Sequence, residues 1–318
     1  MIVITGGAGF IGYNLVLKLK ELYYDVVVID NNIHNKIFNF TAGVQYMTVE
    51  DSFLWLGFNK YQIDAVFHLG ARTDTMESDV KIFNYLNLNY SKFIWNFCTE
   101  ARIPLIYASS AAVYGNGDFG FDDEIDWGYY PLNPYGESKY WFDYWVREQI
   151  DNENTPPFWT GLRFFNVYGN HESHKGKMAS VIWHFYNQIK ETGGVKLFKS
   201  HREDVLDGEQ KRDFIHVDDV VNTIIWLYNF RRDIPSTIYN LGTGNARTYN
   251  DLATAVFKSL GKPVNISYID TPIEIRNSYQ YYTQAKMNKL CKQMHDCKFL
   301  SLEEGIDMYI KQLEYENR

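Results

Sequence analysis

Tyr135 and Lys139 stand four residues apart in Asn133-Pro-Tyr-Gly-Glu-Ser-Lys139, a spacing that sets a phenol and an amine on one helix face. Both then reach the same ligand. A phenol with a pKa near 10 is a poor base at neutral pH, but an adjacent ammonium and a cationic cofactor both favour its phenolate. Moving that pKa to near 7 takes about three units, or roughly 4 kcal/mol of differential stabilisation. Ser110, in Tyr107-Ala-Ser-Ser-Ala-Ala-Val-Tyr-Gly115, follows an apolar run and is placed to hydrogen-bond the reacting oxygen. A base, its charged neighbour and an oxygen holder suit proton transfer at an alcohol or carbonyl.

A cofactor cradle lies upstream. Ile2 to Ile4 read as a buried strand, after which Gly6 or Gly7 permits a sharp turn. Gly9 lets the backbone approach a pyrophosphate, and Gly12 lets the following helix lie close on the strand with its N–H groups facing the anion. The glycines fit G-x-G-x-x-G from Gly7 and G-x-x-G-x-x-G from Gly6, and both spacings stay open here. The stretch from Phe10 to Leu22 is amphipathic, and the strand from Asp25 to Ile29 ends at Asp30, where an acidic residue takes the adenosine ribose hydroxyls. An NAD-type dinucleotide is the expected ligand.

The elements that must hold these groups are apolar runs at Val26 to Ile29, Ala65 to His68, Leu105 to Ala108 and Trp159 to Phe164. Helical stretches from Asp79 to Glu100 and from Tyr135 to Gln149 fall between them, and the alternation predicts a parallel sheet covered by helices on both faces. After about Phe165 the regularity breaks into a polar stretch from Gly169 to Lys177 and a charged exposed loop from Ser200 to Arg212. A strand and helix resume from Phe214 to Tyr228, a strand follows at Ile238 to Leu241, and helices are expected from Tyr249 to Leu260 and from Leu302 to Glu314. The expected class is α/β, a Rossmann-type doubly wound sheet over 1–167 and about 213–241, with a smaller substrate-binding α/β region over 168–212 and 242–318.

The 318 residues carry a net charge of -8, which argues against a nucleic-acid surface. No apolar run is long enough for a membrane span, so the chain is expected to be soluble and cytoplasmic. Cys98, Cys291 and Cys297 form no metal or redox motif and are expected as thiols rather than a disulfide or metal site. Asp123, Glu124 and Asp126 read as a solvated acidic edge.

The set T-G-G-A-G-F-I-G, Y-A-S-S-A-A-V-Y-G, N-P-Y-G-E-S-K and R-F-F-N-V-Y-G resembles the extended short-chain dehydrogenase/reductase family of nucleotide-sugar epimerases and dehydratases. The run from Phe165 to Ser180, with Lys211-Arg-Asp-Phe214, Tyr239-Asn-Leu-Gly-Thr-Gly244 and the Tyr279 to Ala285 stretch, is similar to the branch that epimerises ADP-heptose at C6. The resemblance implies Ser110, Tyr135 and Lys139 as the catalytic triad and Lys175 as a second acid/base on the opposite side of the carbon. For the cofactor it implies Gly6, Gly9, Phe10, Ile11, Gly12, Asp30, Asn31, Lys36, Leu69, Gly70, Ala71, Arg72, Thr73, Asn87 and Val167, besides Tyr135, Lys139 and Lys175. For the nucleotide sugar it implies Ser110, Asn166, Lys177, His184, Phe198, Arg212 and Tyr279, with Arg212 suited to a diphosphate. His184 reads equally as a packed imidazole on a helix from Met178 to Glu191. The resemblance further implies NADP, a homo-oligomer such as a pentamer, and a role in lipopolysaccharide core heptose synthesis.

Departures from the family pattern bear on selectivity. Asp30 by itself favours NAD by repelling a 2′-phosphate, Asn31 and Lys36 offset that charge, and no lysine stands near Glu50 and Asp51. The segment from His201 to Gln210 is longer than the family's loop, which bears on the nucleotide base. The alternatives are a 4-epimerase or 4,6-dehydratase on another nucleotide hexose and, in a different class, a non-catalytic nicotinamide redox sensor. Ala111-Ala112 stands where dehydratases carry Asp-Glu, and a sensor has no need of the triad.

Overall fold

The computed structural model describes residues 1–32, 43–75, 77–125, 128–276 and 279–316. Its strands are β1 (Ile2–Thr5), β2 (Val26–Ile29), β3 (Gln45–Met47), β4 (Ala65–His68), β5 (Leu105–Ser110), β6 (Trp159–Phe164), β7 (Asn166–Tyr168), β8 (Val195–Phe198), β9 (Lys211–His216), β10 (Thr237–Leu241), β11 (Ala246–Thr248) and β12 (Ile266–Ile269). The helices are α1 (Phe10–Glu21), α2 (Val49–Asn59), α3 (Val80–Phe83), α4 (Tyr90–Ala101), α5 (Pro134–Asp151), α6 (Val181–Thr192), α7 (Val217–Asn229), α8 (Tyr249–Ser259), α9 (Ile273–Arg276), α10 (Asn288–Cys291) and α11 (Leu302–Glu316).

β1, β2 and β4 are buried along their whole length, as expected of β-branched and apolar runs covered on both faces. They sit inside a seven-stranded sheet of order β10-β6-β5-β4-β1-β2-β3, with β1 parallel to both β2 and β4. The chain starts in the middle, moves outward through β2 and β3, then returns to the other side at β4. That reversal beside β1 opens a crevice at the strands' carboxyl ends, the place where doubly wound sheets bind dinucleotides.

The chain divides into two compact units. Unit 1 comprises Met1–Val113, Asp123–Arg163 and Val220–Tyr239. Its core joins Val3, Val27, Val66, Ile94, Trp95, Leu105 and Phe142. Unit 2 comprises Tyr114–Asp122, Phe164–Asp219 and Asn240–Arg318. It holds a three-stranded sheet of order β11-β9-β7 and a β12-β8 pair over a core that includes Ile182, Phe185, Leu252, Val256, Ile306 and Ile310. Among the described residues no helix is long and apolar enough to cross a membrane.

Four expectations need correction. The helix from Asp79 to Glu100 is interrupted by a π-helical turn, Asn84–Asn89, between α3 and α4. The Ser200 to Arg212 stretch is not exposed to its end, because β9 starts at Lys211 and both Gln210 and Arg212 are buried. Cys291 and Cys297 form a disulfide across six residues, while Cys98 is a buried thiol as expected. Asp123 is buried rather than solvated, Glu124 is exposed, and Asp126 lies outside the described residues.

Candidate active site

In unit 1 the glycine turn is built at Gly6. Its φ is +69°, and a Cβ there would come 2.6 Å from Gly70 Cα, so neither a side chain nor an ordinary backbone is accommodated. A Cβ on Gly12 would press on Gly6 O and lie 2.8 Å from the Gly6 carbonyl carbon. The spacing that starts at Gly6 therefore describes the turn. Gly9 caps α1 without a side chain, its N–H bonds Gly6 O at 2.9 Å, and the helix's first N–H groups receive no side-chain cap. Phe10 is buried and Ile11 half-buried just behind.

Asp30 follows β2, and its two carboxylate oxygens accept from Ala8 N–H at 3.0 Å and Asn32 N–H at 2.9 Å. A carboxylate offers about four acceptor sites, so a sugar hydroxyl can bond it as well. Exposed Asn31 accepts from Val49 N–H at 3.0 Å and so fixes the start of α2. Lys36 lies outside the described residues. Residues Leu69 to Thr73 extend from β4, with Leu69 N–H bonded to Thr5 O and Gly70 N–H to Thr5 Oγ1.

Asn87 is wholly buried in the π turn. Its Oδ1 accepts from Arg72 N–H at 2.7 Å, and its Nδ2 donates to Arg72 O and to Ser138 Oγ, each at 2.9 Å. The extra residue per turn aims the carboxamide at both the β4 extension and α5, a use to which π turns are often put. Its side chain ties the β4 extension to α5.

Asn133 caps α5 through Gly136 N–H and Pro134 opens it, so Tyr135 begins the first turn. A Cβ on Gly136 would lie 2.8 Å from Ala112 O, which measures how closely α5 lies on the end of β5. Tyr135 hydrogen-bonds Ser110, and Lys139, buried, donates to Ala108 O at 2.8 Å. Ser110, Tyr135 and Lys139 are thus brought together. Burial raises the Tyr135 phenol above its ordinary value, and the Ser110 bond only partly opposes this. Burial brings the Lys139 ammonium down to about 8 while Asp143 holds it up. The chain alone keeps the phenol protonated; the expected lowering has to come from what binds beside it.

In unit 2, Lys175 and Lys177 sit on a 3₁₀ turn, Ser173–Met178, where Gly176 has a φ of +53°. Glu172, wholly buried, staples this loop: its carboxylate accepts from Gly169 N–H at 3.4 Å, Ser180 N–H at 2.5 Å and Ser180 Oγ at 2.6 Å. Burial lowers the Lys175 ammonium below its usual value, with Glu172 opposing. His184 is half-buried on α6, its Nε2 3.3 Å from Lys177 O and its ring edge-on to Trp183. Arg212 donates to Lys211 O and Gln280 O, and its guanidinium lies 5.6 Å from the Tyr279 ring centroid and 6.0 Å from that of Tyr249. Phe198 meets Tyr279 edge-on at 6.3 Å. Asn166 is exposed and Val167 half-buried on β7.

Sequence reasoning missed Glu172 and the buried pair of Asp143 and Arg163, whose Nε lies 3.0 Å from the Asp143 carboxylate. Asp143 was open to detection, since it continues the Tyr135 and Lys139 stripe by one more turn. Glu172 carried no signal, because a polar stretch reads as a loop whichever side chain is turned inward.

The doubly wound sheet and the glycine turn are those of a dinucleotide-binding fold, and the chain belongs to the NAD dependent epimerase/dehydratase family, whose model matches residues 2–242. At finer grain it is 43% identical to the ADP-L-glycero-D-manno-heptose-6-epimerase of Fusobacterium nucleatum subsp. nucleatum, over 98% of this chain and 97% of that one. The solved Helicobacter pylori ADP-L-glycero-D-manno-heptose-6-epimerase is 28% identical with a TM-score of 0.79, covering 98% of this chain and 96% of its own. The Thermus thermophilus UDP-glucose 4-epimerase, solved with NAD, shares the fold at a TM-score of 0.80 and 24% identity, covering 98% of each chain.

Proposed function

We propose that this protein interconverts ADP-D-glycero-D-manno-heptose and its L-glycero epimer by oxidation and re-reduction at C6. Full-length similarity to the Fusobacterium enzyme carries the substrate assignment. The Gly6 turn, the Gly12 approach and the Asp30 oxygens fit a dinucleotide. When bound, the oxidised nicotinamide supplies a hydride acceptor and a positive charge, and its reduced form later supplies the hydride donor.

The chain's own groups move the proton. Tyr135 takes the C6 hydroxyl proton as hydride leaves C6, giving an aldehyde, while Ser110 holds the oxygen and Lys139 stabilises the phenolate. Hydride returning to the other aldehyde face places the new hydroxyl proton in the care of Lys175, whose ammonium burial has made more acidic. One group per face accounts for inversion without net cofactor use. Arg212 and Lys177 are assigned to the diphosphate.

The finer cofactor assignment is NADP, on the family resemblance. Asp30 acts against a 2′-phosphate, but two backbone N–H groups already temper its charge. The test is to incubate purified protein with the D-glycero sugar and follow C6 by NMR, with mass spectrometry of the nucleotide that copurifies. We expect conversion to a D/L mixture and NADP. An unchanged C6 would end the substrate assignment, and NAD alone would correct the cofactor.

A further inference from the structure

Unit 1 buries a second charged group that the chemistry above leaves idle. Asp143 and Arg163 have side chains only 2% and 1% exposed. The Asp143 carboxylate accepts from Tyr107 OH at 3.2 Å, Ser109 Oγ at 2.8 Å and Arg163 Nε at 3.0 Å. Two of those donors lie on β5 and one on β6, and the Arg163 guanidinium also lies 5.5 Å from the Tyr129 ring centroid. Burying an ion pair is costly, and apolar residues of similar volume often serve stability as well or better. Packing therefore gives no reason for this pair.

Its place in the fold does. Along α5, Tyr135, Lys139 and Asp143 follow at intervals of four, so they form one stripe facing β5. On β5 the same order is met by Ser110, the Ala108 carbonyl, and the Ser109 and Tyr107 hydroxyls. Three ties, one per helical turn, fix α5 in rotation and in register on the strand. Only the lowest has no reacting atom to serve.

We propose that Asp143 is a positioning residue for the Tyr135 and Lys139 pair: its carboxylate, gathered by Tyr107, Ser109 and Arg163, locks α5 on β5 and keeps an anion one turn from the amine. This rests on the reading of Tyr135 and Lys139 as the reacting pair. His68 on β4 and Asp143 on α5 act on Lys139 electrostatically, Tyr107 on β5 and Arg163 on β6 bond Asp143 itself, and Tyr135 stands one turn before Lys139 on α5. Asp143 is the anion that holds Lys139 protonated against burial. Without that charge the ammonium is lost at lower pH.

Steady-state kinetics against pH test this with Asp143→Asn, Ser109→Ala and Tyr135→Phe holoenzymes. Asp143→Asn is expected to lower kcat about tenfold or more, leave KM for the nucleotide sugar within about twofold, and move the alkaline limb to lower pH by about one unit. Ser109→Ala, which removes one anchor but no charge, is expected to lower kcat about threefold with the limb unmoved. A wild-type pH profile for a folded Asp143→Asn overturns the inference even if its Tm falls. If Asp143→Asn does not fold, a wild-type kcat for Ser109→Ala overturns it. Full turnover by Tyr135→Phe overturns both the reacting pair and this inference; an inactive Tyr135→Phe beside an unaltered Asp143→Asn overturns this inference alone.

Discussion

Tyr135 faces two opposed demands. In the proposed reaction its site must exclude water for hydride chemistry, yet burial raises the phenol above its ordinary value. On that proposal the base is armed by its ligand, since a cation beside the ring would reverse the sign of the local field. On this reasoning Tyr135→Phe keeps the cradle intact and loses about 10²–10⁴-fold in kcat, with cofactor retained at wild-type stoichiometry. Lys175→Met is expected to separate the two faces: single-turnover oxidation, seen as reduced-nicotinamide absorbance, persists while net epimerisation falls about 10²-fold or more. Wild-type epimerisation by Lys175→Met would remove the second base. At this scale the sequence was most legible where spacing itself is chemical. Tyr135 and Lys139 share a face because helices repeat near four residues, whereas Glu172 and Arg163 became visible only with the partners that burial gave them.

Among the elements, α1 shows most directly how the cradle depends on absent atoms. Phe10, Gly12, Tyr13, Leu15, Val16 and Leu19 are its buried face, a spacing readable from sequence. Gly12 belongs to that face because a Cβ would strike the Gly6 backbone. Gly12→Ala should push α1 off the turn, costing about 1–3 kcal/mol in urea unfolding and abolishing cofactor retention. Gly57 in α2 is the control, since a Cβ there meets nothing within 4 Å. Gly57→Ala should gain about 0.5–1 kcal/mol and retain cofactor. Equal cofactor occupancy in the two variants would contradict the steric account. The same contrast explains what sequence patterns left out. The apolar spacing of 79–100 gave a helix but not its π turn, because that turn is set by where the Asn87 carboxamide must go. β3, β7 and β8 have only three or four residues, two of them exposed or half-exposed in each, too short for a period-two pattern to stand out. The Cys291–Cys297 bond was illegible because two cysteines six apart meet only when the intervening backbone turns back on itself.

For the whole molecule, buried titratable groups set how stability responds to acid. His68 is 2% exposed at the centre of the unit 1 sheet, with Nδ1 2.6 Å from Thr5 Oγ1 and Nε2 2.8 Å from Ser91 Oγ. Burial first, and the Lys139 charge second, bring its pKa down to about 3. An unfolded histidine titrates near 6.5, so between about 6.5 and 3 the unfolded chain binds a proton that the native chain refuses. This contribution is fully present above about 6.5 and is lost as pH falls toward 3, an effect of order 5 kcal/mol at its limit. Asp219 in unit 2 works in the opposite sense: burial raises it to about 6, so its contribution is present at low pH and lost as pH rises toward 6. The His68 effect spans the wider interval and belongs to the more deeply buried group, so acid is expected to destabilise the protein on balance. Tm measured from pH 7.5 down to 3 should fall on balance in the wild type and by less in His68→Asn, which keeps hydrogen-bonding capacity but cannot take up a proton. Parallel slopes for the two proteins would show that the acid sensitivity arises elsewhere.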